Sequence, residues 1–183
     1  SLLYRKGFEA NGKAPVLIEA YGSYGYSSDP YFDSDVLSLV DRGFVYAIAH
    51  VRGGGELGEA WYRAGKLAHK HNSFSDFIAC AEHLIAGSYT TAAQLAISGG
   101  SAGGLLIGAV LNQRPELFGA AIAEAIAAAM LRWLGAARAL DLLTTPYVFD
   151  PDQARAMTEA GADILVAHMG LTVSGSIGAK TAK

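Results

Sequence analysis

The 183-residue chain is 51% hydrophobic, only 17% charged, and carries a formal net charge of −3. That is about one domain's length, with enough apolar material for a core, which excludes a disordered chain. The small negative charge excludes strong electrostatic attraction to nucleic acid or an anionic membrane, and no apolar run approaches the ~20 residues that span a bilayer.

The chain opens on Ser1-Leu2-Leu3-Tyr4-Arg5-Lys6, with no initiator Met and no apolar signal segment. It reads as starting inside a strand, as a piece of a longer protein would. Lys13-Ala14-Pro15 leads into the apolar run Val16-Leu17-Ile18-Glu19-Ala20, and the Gly-rich turn Tyr21-Gly22-Ser23-Tyr24-Gly25 ends it. A buried strand followed by a loop is expected there. A helix over residues 36–40 stops near Asp41-Arg42-Gly43, and residues 44–49 form the next buried strand, running out at Arg52-Gly53-Gly54-Gly55. Phe74, Phe77, Ile78, Ala81, Leu84 and Ile85 recur at helical spacing. Ser73 suits the N-cap of that helix and Gly87 its left-handed C-terminal position. Cys80, the single cysteine, falls on the apolar side as a small buried hydrophobe. With no second cysteine there is no internal disulfide, and a reducing compartment, the cytoplasm, is the expected location.

Residues 95–97 form a third strand, residues 105–111 an apolar helix, and residues 118–123 a fourth strand. Strand and helix alternate throughout, which argues for a parallel sheet covered by helices on both faces. Past Glu124 the texture changes. An Ala-rich helix is expected over 125–140 and a strand over 143–149. Asp150-Pro151-Asp152-Gln153 carries a helix-start pattern, with Asp at the N-cap, Pro at N1 and Gln at N3. That helix stops at Gly161, and residues 163–167 form another strand ending at His168-Met169-Gly170.

Gly99-Gly100-Ser101-Ala102-Gly103 fits G-x-S-x-G between a strand and a helix. A sharp strand-to-helix turn lifts a serine clear of the sheet, and crowding in that turn demands glycine two residues to either side. The helix that follows aims its N-terminal amides at the same point, where an oxyanion can form. Ser101 is therefore the candidate nucleophile and the Ala102 amide a candidate oxyanion donor. A phosphate-cradling loop would need further glycines and an acidic partner, or a Lys-Ser/Thr pair, and neither follows.

Several stretches together resemble the catalytic domain of the prolyl oligopeptidase family, in its oligopeptidase B branch. They are Tyr21-Gly22-Ser23-Tyr24-Gly25, Asp41-Arg42-Gly43-Phe44-Val45-Tyr46-Ala47, Val51-Arg52-Gly53-Gly54-Gly55-Glu56-Leu57-Gly58, Asn72-Ser73-Phe74-Ser75-Asp76, the run 99–104, and Asn112-Gln113-Arg114-Pro115-Glu116-Leu117-Phe118. They cover roughly residues 1–124. The resemblance implies an α/β-hydrolase fold, incomplete here. It implies peptide-bond hydrolysis through an acyl-enzyme on Ser101, with the Tyr21 hydroxyl as second oxyanion donor. It also implies short peptides as substrates, with no cofactor and no metal. Arg52 and Glu56 match a Gly-rich loop whose role is structural. The acidic residues that set a preference for basic side chains fall in a stretch not matched here.

A serine nucleophile needs a base and the base an orienting acid, in the order Ser, acid, His for this fold. The one histidine after Ser101 is His168. Asp150 and His168 lie at successive strand ends in the right order, but Asp150 is equally explained as an N-cap. Residues 125–183 also resemble a TIM-barrel family of phosphoenolpyruvate-hydrolase-like proteins, through Leu142 to Phe149, Ala160-Gly161-Ala162-Asp163-Ile164 and Ala167 to Ala179. Two βα units cannot close an eight-unit barrel, and Gly175 to Gly178 read as a plain loop in preference to a phosphate site. The expected domains are thus a nucleophile half over 1–124 and a TIM-barrel-type βα fragment over 125–183. Chemistry centred on His168, or a non-catalytic truncated module, are the alternatives to the peptidase.

Overall fold

The computed structural model describes residues 1–124, 147–148, 151–162 and 165–167. The strands are β1 (Leu2–Leu3), β2 (Val16–Glu19), β3 (Val45–Ile48), β4 (Leu95–Gly100), β5 (Ala120–Glu124), β6 (Tyr147–Val148) and β7 (Val166–Ala167). The helices are α1 (Ser34–Asp41), α2 (Glu59–Arg63), α3 (His71–Ala86), α4 (Ala102–Gln113) and α5 (Pro151–Glu159).

The main sheet has the order β1-β3-β2-β4-β5. β3, β2, β4 and β5 run parallel, as expected, whereas β1 is antiparallel to β3. A parallel partner would need a crossover of a dozen residues or more, usually through a helix. Residues 4–15 instead reverse direction through glycine turns at Gly7 and Gly12, both at positive φ.

Strand alternation explains the core. Val16 and Ile18 on β2, Val45 and Ala47 on β3, Leu95 and Ile97 on β4, and Ala121 on β5 point to one side and are buried. Phe77, Ala81 and Leu84 of α3 and Leu106, Ile107 and Val110 of α4 cover that face. Each fully buried Val, Ile, Leu or Phe contributes about 1.5–3 kcal/mol, so this face dominates stability. Tyr46 and Ile48 alternate with the buried residues of β3 and line a groove with Val36 and Leu37 of α1. The α1 helix therefore packs on the other face. The chain steps from β2 one way to β3, then crosses back over β2 to β4. With right-handed crossovers, that reversal sends helices to opposite faces.

Two local expectations change. The α3 helix begins at His71, so Ser73 lies inside its first turn and donates its hydroxyl to the Arg52 carbonyl oxygen instead of capping. Gly87 is the C-cap at φ −78°, and the left-handed residue is Ser88 at φ 58°. The α4 helix starts at Ala102, directly after the elbow serine as expected, with Gly103 and Gly104 in its first turn.

Beyond β5, β6 and β7 pair in parallel around α5, and Met157 of α5 is fully buried against Ala123 of β5. The expected helix over 125–140, the N-cap Asp150, His168 and the loop from Gly175 to Gly178 lie outside the described residues.

Candidate active site

Ser101 stands between β4 and α4 at φ 54°, ψ −115°, a conformation that non-glycine residues rarely adopt. It is exposed, with buried glycines on either side at Gly99 and Gly103. A Cβ on Gly99 would lie 2.7 Å from the Gly103 carbonyl, and one on Gly103 would lie 2.5 Å from the Ala20 carbonyl oxygen. The turn closes only because both positions lack side chains. Ala102 is the first residue of α4, where an amide has no intrahelical acceptor. Its N–H is available beside the Ser101 hydroxyl.

Tyr21 leaves β2 at the same sheet edge. Glu19 pairs with Ser98, and the Ala20 amide donates to the Ser98 carbonyl oxygen at 3.4 Å. Tyr21 and Ser101 thus follow adjacent strands, about 4.8 Å apart in the pairing direction. The start of α4 rests on this corner, with Gly103 against Ala20 and Tyr21. The half-buried Tyr21 ring meets Tyr26 edge-on at 5.6 Å between centroids and lies 6.3 Å from Tyr24. The structure brings Ser101, Ala102 and Tyr21 together at one sheet edge, at the point where the strand order reverses. Open α/β sheets place their ligands at such points.

The Gly-rich loop after β3 supports that corner from below. Gly25 donates to the Gly53 carbonyl oxygen at 3.0 Å and Gly55 to that of Tyr26 at 3.2 Å. A Cβ on Gly53 would collide with the Gly22 carbonyl oxygen, so the two loops touch backbone to backbone. Arg52 grips Asp76 of α3 through Nε (2.8 Å) and Nη2 (2.6 Å), and its amide also donates to Asp76 at 2.9 Å. Glu56 accepts from the Ser28 amide at 3.0 Å, and His50 Nδ1 stands 3.6 Å from its carboxylate. Arg52 and Glu56 thus act on protein groups, as the sequence suggests.

Lys70 and Asp76 carry no role legible from the sequence motifs alone. A signal for Lys70 existed: a lysine at the start of a helix opposes the helix dipole. A groove of about 580 Å³ opens elsewhere, against Leu3, Tyr31, Phe32, Asp33, Tyr46 and Ile48. Among the described residues no helix is long and apolar enough to cross a membrane.

An α/β sheet with a strained serine at a strand-to-helix turn and the first amides of a helix beside it has the geometry of a nucleophile elbow. The sequence profile of the prolyl oligopeptidase family, a family of serine peptidases, matches residues 30–161, and the chain belongs to that family. It is 53% identical over 118 residues to dipeptidyl aminopeptidase BI of Pseudoxanthomonas mexicana, covering 64% of this chain and 16% of that protein. It is 52% identical over 116 residues to protease 2 of Moraxella lacunata, covering 63% of this chain and 17% of that protein. The solved structure of oligopeptidase B from Trypanosoma brucei with covalently bound antipain superposes with a TM-score of 0.70 at 34% identity, over 91% of this chain and 29% of that one. The chain spans less than a fifth of the length of these curated relatives. The family match continues through Glu124 to residue 161, so the second resemblance, to a TIM-barrel family, finds no support there.

Proposed function

We propose that this chain is the nucleophile-bearing part of a serine oligopeptidase, with residues 1–124 carrying the elbow and short peptides as substrates. The observation that supports it most is the positive φ of Ser101 between β4 and α4, held by Gly99 and Gly103. In this reading the Ser101 Oγ attacks the scissile carbonyl carbon and passes its proton to an imidazole base. The Ala102 amide and Tyr21 hydroxyl hold the oxyanion. The C–N bond then breaks as the leaving amine takes the proton, and water releases the acyl group from Ser101. A cytoplasmic location belongs to the same reading, resting on the single cysteine.

Asp150 and His168 follow the nucleophile in the fold's order of acid and base, each at the end of a strand that the sequence predicts. We take the chain alone to turn over peptides weakly, since loss of a triad member leaves only about 10³–10⁴-fold catalysis over water. Two experiments test the proposal. A fluorophosphonate should label Ser101 covalently and leave Ser101→Ala unmodified; equal labelling of both would end the nucleophile assignment. Chromogenic peptides with a basic or proline residue before the leaving group should be cleaved slowly. Rapid cleavage abolished by both Ser101→Ala and His168→Ala would instead establish Asp150 and His168 as a working pair.

A further inference from the structure

Lys70 precedes α3, and its ammonium is turned inward. Nζ donates to the Gly22 carbonyl oxygen at 2.5 Å and to Ser23 Oγ at 2.7 Å, with Ser73 Oγ at 3.4 Å. The Phe74 ring lies 6.0 Å away. Every oxygen it reaches is neutral, and among the described residues it forms no ion pair. The nearby charges satisfy each other: Arg52 pairs with Asp76, and the Arg52 carbonyl takes the Ser73 hydroxyl. This placement has two costs. Burial disfavours the ammonium, pushing its pKa down to about 8. A cation at a helix N-terminus also faces the positive end of the dipole. Neither cost serves the stability of α3.

What the ammonium holds is the turn immediately after Tyr21. Gly22 sits at φ +61°, where a Cβ would meet Val51 at 2.5 Å, so the turn has no side chain of its own to lock it there. Tyr24 and Tyr26, which brace the Tyr21 ring, are 78% and 62% exposed and give it little fixed packing. Resting on the peptidase reading above, we propose that Lys70 is a positioning residue for the oxyanion hole. Its ammonium pins the Gly22–Ser23 turn to α3, and so sets the direction from which the Tyr21 hydroxyl faces Ser101. A preorganised donor is effective only when it needs no reorganisation at the moment of reaction.

The test compares wild type, Lys70→Met and Lys70→Arg as the full chain. Fluorophosphonate inactivation is resolved into reversible affinity and the maximal rate of covalent reaction, and amide hydrogen exchange is followed over residues 21–26. Folding is checked by circular dichroism, and Lys70→Arg, which keeps the cation, controls for a disruptive Met. Lys70→Met should lower the maximal rate about 10-fold or more, the scale of a misplaced oxyanion donor, with affinity little changed. It should also speed exchange at Gly25 and Tyr26, and Lys70→Arg should recover most of both. A wild-type rate in Lys70→Met, or unaltered exchange, overturns the proposal while leaving the peptidase reading intact. Failure of the wild type to label overturns the peptidase reading and the oxyanion role with it; exchange then still decides whether Lys70 holds the turn.

Discussion

Gly103 and Ala20 meet so closely that a single added carbon on Gly103 would sit 2.5 Å from the Ala20 carbonyl oxygen. This contact joins the first turn of α4 to the end of β2. It places the strand end that carries Tyr21 against the helix that begins just after Ser101.

Gly103→Ala should therefore destabilise the chain despite alanine's better helix propensity. The neighbour is backbone and cannot swing away, so overpacking of about 1–3 kcal/mol is expected. At roughly 2–4 °C per kcal/mol for a chain of this size, that is a Tm lower by several degrees. Fluorophosphonate labelling of Ser101 should slow as well. A Tm at or above wild type would mean the contact is loose.

Ser101 bears backbone strain that glycine would not. Ser101→Gly should be more stable than Ser101→Ala by about 1 kcal/mol, the lower range for a strained φ/ψ, although glycine loses more chain entropy on folding. Denaturant titration of the two variants, neither able to react with a fluorophosphonate, measures the difference. Equal midpoints would show that the elbow is relaxed.

Asp76 joins α3 to the end of β3 through both Arg52 nitrogens and the Arg52 amide. Asp76→Ala should cost about 1–3 kcal/mol, the range for leaving a partly buried charged donor without its acceptor. Asp76→Asn, which keeps two of the three acceptor contacts, should cost less. Urea midpoints of the two variants test the order.

Lys70 gives the chain a pH signature. Its folded pKa of about 8 lies below the ordinary lysine value of 10.5. Between those values the unfolded chain binds more protons than the folded one, so this group's contribution to stability rises with pH across the window and is lost below about pH 8. Tyr46 acts oppositely at higher pH. Burial, and then its hydrogen bond to Glu19 at 2.6 Å, hold its pKa above 10, so its contribution is lost as pH rises through that folded value. Comparing wild type with Lys70→Met at pH 7 and 9.5 cancels most of the Tyr46 effect. Wild type should gain relative to the variant at pH 9.5; no relative gain would show Lys70 to be solvated.

The elbow was legible in the sequence because its requirements are local. Two glycines flanking Ser101, an apolar strand before it and an apolar helix after it are consequences of steric crowding within six residues. The alternation of strand and helix likewise announced a largely parallel sheet, since each β-branched run and each 3.6-residue stripe reports its own burial. Local rules misplaced Ser73 and Gly87, because the partner that decides Ser73 is the Arg52 carbonyl, 21 residues away, and a turn can shift by one residue at little energetic cost. The tertiary structure alone decided that β1 runs antiparallel and that β4 crosses back over β2 to stand beside it. It alone turned the Lys70 ammonium onto the carbonyl 48 residues earlier. Strand order and buried-cation placement depend on contacts between distant segments, and those contacts become favourable only when the whole sheet has closed over its core.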